Sequence, residues 1–236
     1  MIVFNGWIPM SSFEEQRNIL VERLVAEGVI KSPDVIRTMK TVKREEFIPD
    51  NMRNYAYVDT PLPIGNNQTI SAPHMCAIMS EALKLEVGHK VLEVGAGSGY
   101  HAALVAEIIA PSNFDRKKWG HIFTVEIIPE LSTFAQKNLE KEGYIDRVSI
   151  ICADGSRGYP DEAPYDRIFV TAAAPEVPKP LIGQLKPGGL FVIPIGGLYF
   201  FQDLILVEKT LSGKVITKSL GGVAFVPLRG EYGWKT

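Results

Sequence analysis

The sequence predicts an α/β fold: a doubly wound, mostly parallel sheet, preceded by N-terminal helices and finished by a C-terminal antiparallel hairpin. Three observations carry this expectation. Downstream of Gly88, short apolar runs alternate with stretches of helical periodicity, and repeated βα units of that kind need parallel strands with helices on both faces. Upstream of Gly88, apolar positions recur at helical spacing. Near the end, two strand-like runs flank Leu211-Ser212-Gly213, as in a hairpin.

The elements follow in order. Over residues 12–26, Phe13, Ile19, Leu20, Leu24 and Val25 fall near helical spacing, with Ser11 or Ser12 available as a cap. A second helix is expected over residues 33–41, because Ser32 precedes a first-turn proline and Val35, Ile36 and Met39 share a face. Residues 51–67, rich in proline, asparagine and glycine, read as irregular. A third helix opens near Ser71 or Ala72 and runs to Leu85, with Pro73 tolerated in its first turn. Strands are then expected over 90–94, 121–126, 147–152, 166–171 and 190–194, the last after the Lys186-Pro187-Gly188-Gly189 turn. Helices over 99–110 and 129–142 join the first three, and strands over 202–208 and 214–220 make the hairpin.

A chain of 236 residues with a net charge of only -2 suits a single globular domain and offers no electrostatic reason to propose nucleic acid or a membrane surface as partner. Within one domain spanning 1–236, residues 1–86 are expected to form a helical and loop part, 87–195 the βα core and 196–236 the hairpin and tail. Cys76 and Cys152 lack metal or redox spacing, and the four histidines, His74, His89, His101 and His121, are scattered. No metal site is therefore expected, and the location expected is the cytoplasm. Residues 1–10 lack the basic start and continuous apolar stretch of a signal peptide. Their apolar members Ile2, Val3, Phe4, Trp7 and Ile8 either form a subunit contact or close over the core, so homo-oligomerisation stays open.

The strongest local signal is Val91-Leu92-Glu93-Val94-Gly95-Ala96-Gly97-Ser98-Gly99-Tyr100, a strand running into a glycine loop that opens a helix. Glycines let the backbone turn tightly and let a ligand approach with no Cβ in the way. The spacing is GxGxG, with Tyr100 where a dinucleotide fingerprint wants its last glycine, which speaks against a nicotinamide dehydrogenase. Glu126 closes the next strand, where a carboxylate can accept both hydroxyls of a ribose. Asp154, followed by Gly155, closes the third, and can reach an adenine amino group or hold a neighbouring backbone amide.

Together these features resemble the Rossmann-like S-adenosylmethionine methyltransferases over residues 87–195. Upstream, Thr69-Ile70-Ser71-Ala72-Pro73-His74-Met75 reads on its own as a polar loop capping a helix, with Ser71 a good N-cap and the helix N-terminus an anion site. The same run closely resembles the signature of the protein-L-isoaspartate methyltransferases. Asp154-Gly155, Ala163-Pro164-Tyr165-Asp166, Ala172-Ala173-Ala174-Pro175, Leu185-Lys186-Pro187-Gly188-Gly189 and Phe225-Val226-Pro227-Leu228-Arg229 follow in register.

The resemblance implies S-adenosylmethionine as cofactor, S-adenosylhomocysteine as product, and isoaspartyl peptides and age-damaged proteins as partners. It assigns Thr69, Ile70, Glu93, Gly95, Ala96, Gly97, Ser98, Gly99, Glu126, Ile127, Asp154 and Gly155 to the cofactor. Ser71 becomes the catalytic candidate, with Thr69, His74, Val226, Leu228 and Arg229 beside it on the substrate; the plainer role for His74 is to hydrogen-bond the loop. Residues 230–236 receive no role. The competing readings are a methyltransferase for a small molecule or nucleic acid, for which no Asn-Pro-Pro-Tyr-like segment, metal-carboxylate cluster or basic stripe is present, and a noncatalytic adenosine-binding protein.

Overall fold

The computed structural model describes residues 12–198 and 201–235, so the apolar residues before Ser11 and Ser11 itself lie outside the described residues. Helix α1 (Phe13–Ala26) begins with a capping box: the Ser12 hydroxyl accepts from the Glu15 amide at 3.1 Å, and the Glu15 carboxylate accepts from the Ser12 amide at 2.8 Å. Helix α2 (Pro33–Thr41) has the expected bounds, but Ser32 makes no side-chain cap. Its hydroxyl donates instead to Glu81 at 2.9 Å, and the amides of Lys31 and Ser32 join it there, pinning the start of α2 to the third helix.

Residues 51–67 depart from expectation. A 3-10 turn is followed by a two-stranded antiparallel hairpin, β1 (Leu62–Gly65) and β2 (Gln68–Ile70). The turn is Asn66-Asn67, both left-handed with φ of 50° and 57°, the geometry of a two-residue hairpin loop that asparagine tolerates. The paired asparagines were the available signal. Helix α3 (Pro73–Leu83) starts after Ala72, so Ser71 is not its N-cap, and no side chain caps it. It ends two residues earlier than expected because Lys84 turns left-handed, with φ 46°.

The βα series then runs β3 (Lys90–Val94), α4 (Tyr100–Ile109), β4 (His121–Glu126), α5 (Pro129–Lys141), β5 (Val148–Cys152), β6 (Tyr165–Val170), a short unexpected α6 (Lys179–Gln184) and β7 (Leu185–Gly196). β7 begins earlier than expected: it absorbs the Lys186–Gly189 turn as a register shift against β6. β8 (Gln202–Lys209) and β9 (Val215–Val223) close the sheet as an antiparallel hairpin. The strand order is β5-β4-β3-β6-β7-β8-β9, with the first five mutually parallel. Chain direction across the sheet therefore reverses beside β3, and the crevice outside the carboxyl ends of β3, β4 and β6 is where such sheets bind ligands.

Alternate residues of β3 face two cores. Val91 joins the cluster under α1 to α4, whereas Leu92 and Val94 join the opposite one, and the period of two puts Glu93 on the Val91 face. Every residue of α4 is buried, because the N-terminal helices cover the side that a surface helix would expose. That packing encloses one ion cluster. Glu107 of α4, 3% exposed, accepts from Arg147 at 2.9 Å, Arg37 at 3.3 Å and the Ser112 hydroxyl at 3.1 Å. Glu107→Ala leaves the buried Arg147 guanidinium with only the half-exposed Asp146 carboxylate, 3.5 Å from its Nε, and the expected cost is about 3 kcal/mol, read as a large drop in thermal midpoint.

Candidate functional site

The glycine loop links β3 to α4 with Gly95, Gly97 and Gly99 all at positive φ. Two of them are crowded as well. A Cβ on Gly95 would run into the Thr171 hydroxyl, which donates to the Gly95 carbonyl at 2.7 Å, and one on Gly99 would meet Leu139 at 3.0 Å with φ at +85°. Gly95, Ala96, Gly97 and Ser98 line one deep cavity, and Gly99 is the turn that starts α4 beside it.

Glu126 stands at the end of β4, 5% exposed, where it braces this loop. One oxygen accepts from the Gly97 amide at 2.9 Å and the other from the Ile128 amide at 3.0 Å, which leaves further lone pairs facing the cavity it lines. Ile127 forms the adjoining wall, partly exposed. Glu93 is different. It is fully buried, lines the same cavity, and neither carboxylate oxygen has a hydrogen-bond partner among the described residues. Burial pushes its pKa up to about 8, with the neighbouring Thr124 hydroxyl lowering it and the Glu126 carboxylate raising it. An orphaned acid of this kind calls for a cationic ligand group.

Asp154 takes the second of its two expected roles. Its carboxylate accepts from the Ser156 amide at 2.9 Å, the Ser156 hydroxyl at 2.6 Å and the Glu231 amide at 2.8 Å, while Gly155, not Asp154, lines the cavity. The last contact belongs to a strap that sequence reasoning missed. Tyr232 donates its amide to Ser156 Oγ at 3.0 Å, Trp234 donates its amide to the Leu228 carbonyl at 2.7 Å, and the indole donates to the Ala173 carbonyl at 3.1 Å. The strap ties down residues 226–229, whose backbone bridges Ala173 through the Val226 carbonyl at 2.7 Å and the Leu228 amide at 2.8 Å. Val226, Pro227, Leu228 and Arg229 thereby roof the cavity. Leu228 is buried; Arg229 is exposed and has no acidic partner among the described residues.

A second, more open cavity adjoins the first. Thr69, Ser71, Thr171 and Val226 line both, and Met75, Phe201 and Phe225 make the second apolar. Thr69 and Ser71 reach this junction, with Ile70 on the first cavity alone, because the β1–β2 hairpin ends there and α3 begins. The Ser71 hydroxyl makes no hydrogen bond within the described residues, so it is free for a ligand. His74 lies on the second cavity, but its Nδ1 and its amide are both held by Asp59 at 2.9 Å, and Asp59 is held in turn by Arg23 at 3.0 Å. Sequence reasoning also missed Cys76, His101 and Thr171 as lining residues. Cys76 and His101 sit within apolar helices and carry no local signal.

The described residues hold no cluster of histidine, cysteine or acid suited to a metal, and no helix among them is long and apolar enough to cross a membrane. The profile of the protein-L-isoaspartate(D-aspartate) O-methyltransferases matches residues 15–233. A protein-L-isoaspartate O-methyltransferase of Hyperthermus butylicus is 61% identical over 94% of this chain and 92% of its own length. One from Methanopyrus kandleri is 56% identical over 94% of this chain and 95% of its own. Among solved structures, a Plasmodium falciparum protein described as a protein-L-isoaspartate O-methyltransferase in complex with S-adenosyl-L-homocysteine superimposes with a TM-score of 0.78 at 31% identity, covering 90% of this chain and 98% of its own. The free Ser71, the orphaned Glu93 and the braced glycine loop thus sit in a chain that belongs to the protein-L-isoaspartate(D-aspartate) O-methyltransferase family.

Proposed function

We propose that the chain methylates the free α-carboxylate of L-isoaspartyl residues in damaged peptides and proteins, in the cytoplasm, using S-adenosylmethionine. The ester so formed is attacked by the neighbouring backbone amide nitrogen and loses methanol to give a succinimide, whose hydrolysis restores some normal aspartate. The observation that carries the reading is the unbonded Ser71 hydroxyl at the junction of two cavities, one built for an adenosyl ligand and one open and apolar.

When bound, S-adenosylmethionine supplies a methyl group already activated on a cationic sulfonium. The residues fit such a ligand. Glu93 is the buried anion for its ammonium, Glu126 accepts its ribose hydroxyls, and Gly95, Ala96, Gly97, Ser98 and Gly99 let the ligand lie against backbone. Thr69, Ile70, Ile127 and Gly155 wall it, and Asp154 acts through the strap and the Gly155 turn that it fixes. On the substrate side, Ser71 donates to the isoaspartyl carboxylate, with Thr69 beside it and Arg229 as the free cation nearby. Val226 and Leu228 spend backbone groups on Ala173 and meet the peptide with side chains; His74 holds the loop through Asp59. A carboxylate is ionised at neutral pH, so no general base is needed and positioning is the main work of the protein.

The test is methyl transfer from labelled S-adenosylmethionine to paired peptides differing only in L-isoaspartate against L-aspartate. Base-labile ester on the isoaspartyl peptide alone is the expected result. Equal transfer to both, or to neither, sinks the substrate assignment.

A further inference from the structure

Glu93 is not the only unpaired polar group at the inner end of the cofactor cavity. Its cross-strand neighbour on β6 is Phe169, and strand partners in register point to the same face. The His101 ring packs on Phe169 with centroids 4.5 Å apart, so Glu93 and His101 share Phe169 as a neighbour. His101 lines the cavity, is 6% exposed, and its Nδ1 is buried with no partner among the described residues. Its other nitrogen, Nε2, lies 3.3 Å from the hydroxyl of Ser80, a residue 2% exposed. The imidazole tautomer decides which of the two donates, and Nε2 is an acceptor for the Ser80 hydroxyl when the ring proton is on the other nitrogen. Donation by Ser80 puts the imidazole proton on Nδ1.

An amino-acid end carries an ammonium and a carboxylate together, and Glu93 satisfies only the first. We infer that His101 is a cofactor-binding residue that donates a hydrogen bond from Nδ1 to the carboxylate of the methionyl group, beside the ammonium site at Glu93. The inference rests on the cofactor reading above. Burial holds the His101 pKa down at about 3, so the ring stays a neutral donor over the whole working range. Ser80 acts through it, as the residue that sets the tautomer.

Calorimetric titration separates this role from simple packing. S-adenosylhomocysteine has the amino-acid end, whereas 5′-methylthioadenosine has the same adenosine and thioether without it. His101→Leu is expected to weaken S-adenosylhomocysteine by about tenfold or more and to leave methylthioadenosine unchanged, the loss of one charge-assisted hydrogen bond. His101→Asn, whose amide nitrogen takes the place of Nδ1, is expected to recover most of that loss, and melting of each variant without ligand reports whether it folds. Equal weakening of both ligands, or a His101→Asn protein no better than His101→Leu, overturns the assignment. Failure of the unaltered protein to bind S-adenosylhomocysteine would overturn the cofactor reading itself, and this inference with it.

Discussion

Glu93→Gln is expected to stabilise the ligand-free protein at pH 8 and at the same time to weaken cofactor binding by about a hundredfold. The two effects share one cause. Burial raises the Glu93 pKa from 4.5 to about 8, so the folded state holds a proton that the unfolded chain releases. Relative to a neutral side chain, Glu93 costs nothing below pH 4.5, and folding stability falls as pH rises from there to about 8. At about 1.4 kcal/mol per unit the accumulated cost is several kcal/mol, and glutamine removes it. The thermal midpoint of the variant should therefore exceed that of the unaltered protein at pH 8 and converge with it in acid.

Binding runs the other way. An ammonium beside Glu93 favours the ionised carboxylate, so cofactor binding expels the proton. Between pH 5.5 and 7.5, affinity for S-adenosylhomocysteine should rise by up to about tenfold per unit in the unaltered protein and stay flat in Glu93→Gln. Parallel slopes in the two proteins would show that Glu93 does not face the ammonium. The upper limit of the window is set by Glu93 itself, which above about 8 is already ionised in the ligand-free protein.

The second large effect is on turnover. Ser71→Ala is expected to lower kcat by about a hundredfold or more, the usual consequence of removing a donor that holds reacting charge, with S-adenosylhomocysteine affinity unchanged. The structure makes this a clean experiment. A Ser71 that capped α3 would cost about 1 kcal/mol when removed, and lost activity could then reflect a loosened helix. Because Ala72 holds the cap position and the Ser71 hydroxyl bonds to nothing in the described residues, the stability change should stay within about 0.5 kcal/mol. A kcat within threefold of the unaltered value would remove Ser71 from the catalytic role.

Most of the fold was legible in the sequence because its elements are written locally. β3 and β4 have the expected bounds, and the βα alternation together with the Leu211-Ser212-Gly213 turn implied a parallel sheet with an antiparallel finish. The glycine loop was legible for the same reason: a tight turn that admits no Cβ leaves its mark in consecutive residues. The resemblance of the Thr69–Met75 run supplied the substrate, which periodicity alone would not have named.

What escaped depends on partners far apart in the chain. The Asp154 carboxylate accepts from the Glu231 amide, a partner in a tail that carries no recognisable pattern. Ser32 and Ser71 both had the residue type of a cap, yet one is drawn away by Glu81 and the other faces two cavities. His101 lies in an apolar helix whose every side is buried, so no periodicity says which side lines the cavity. Local sequence determined where the chain bends and which segments are helix or strand, since those depend on near neighbours and side-chain periodicity. Only the tertiary structure decided which polar groups are already satisfied and which are left for a ligand, because a hydrogen-bond partner is chosen by distance in space.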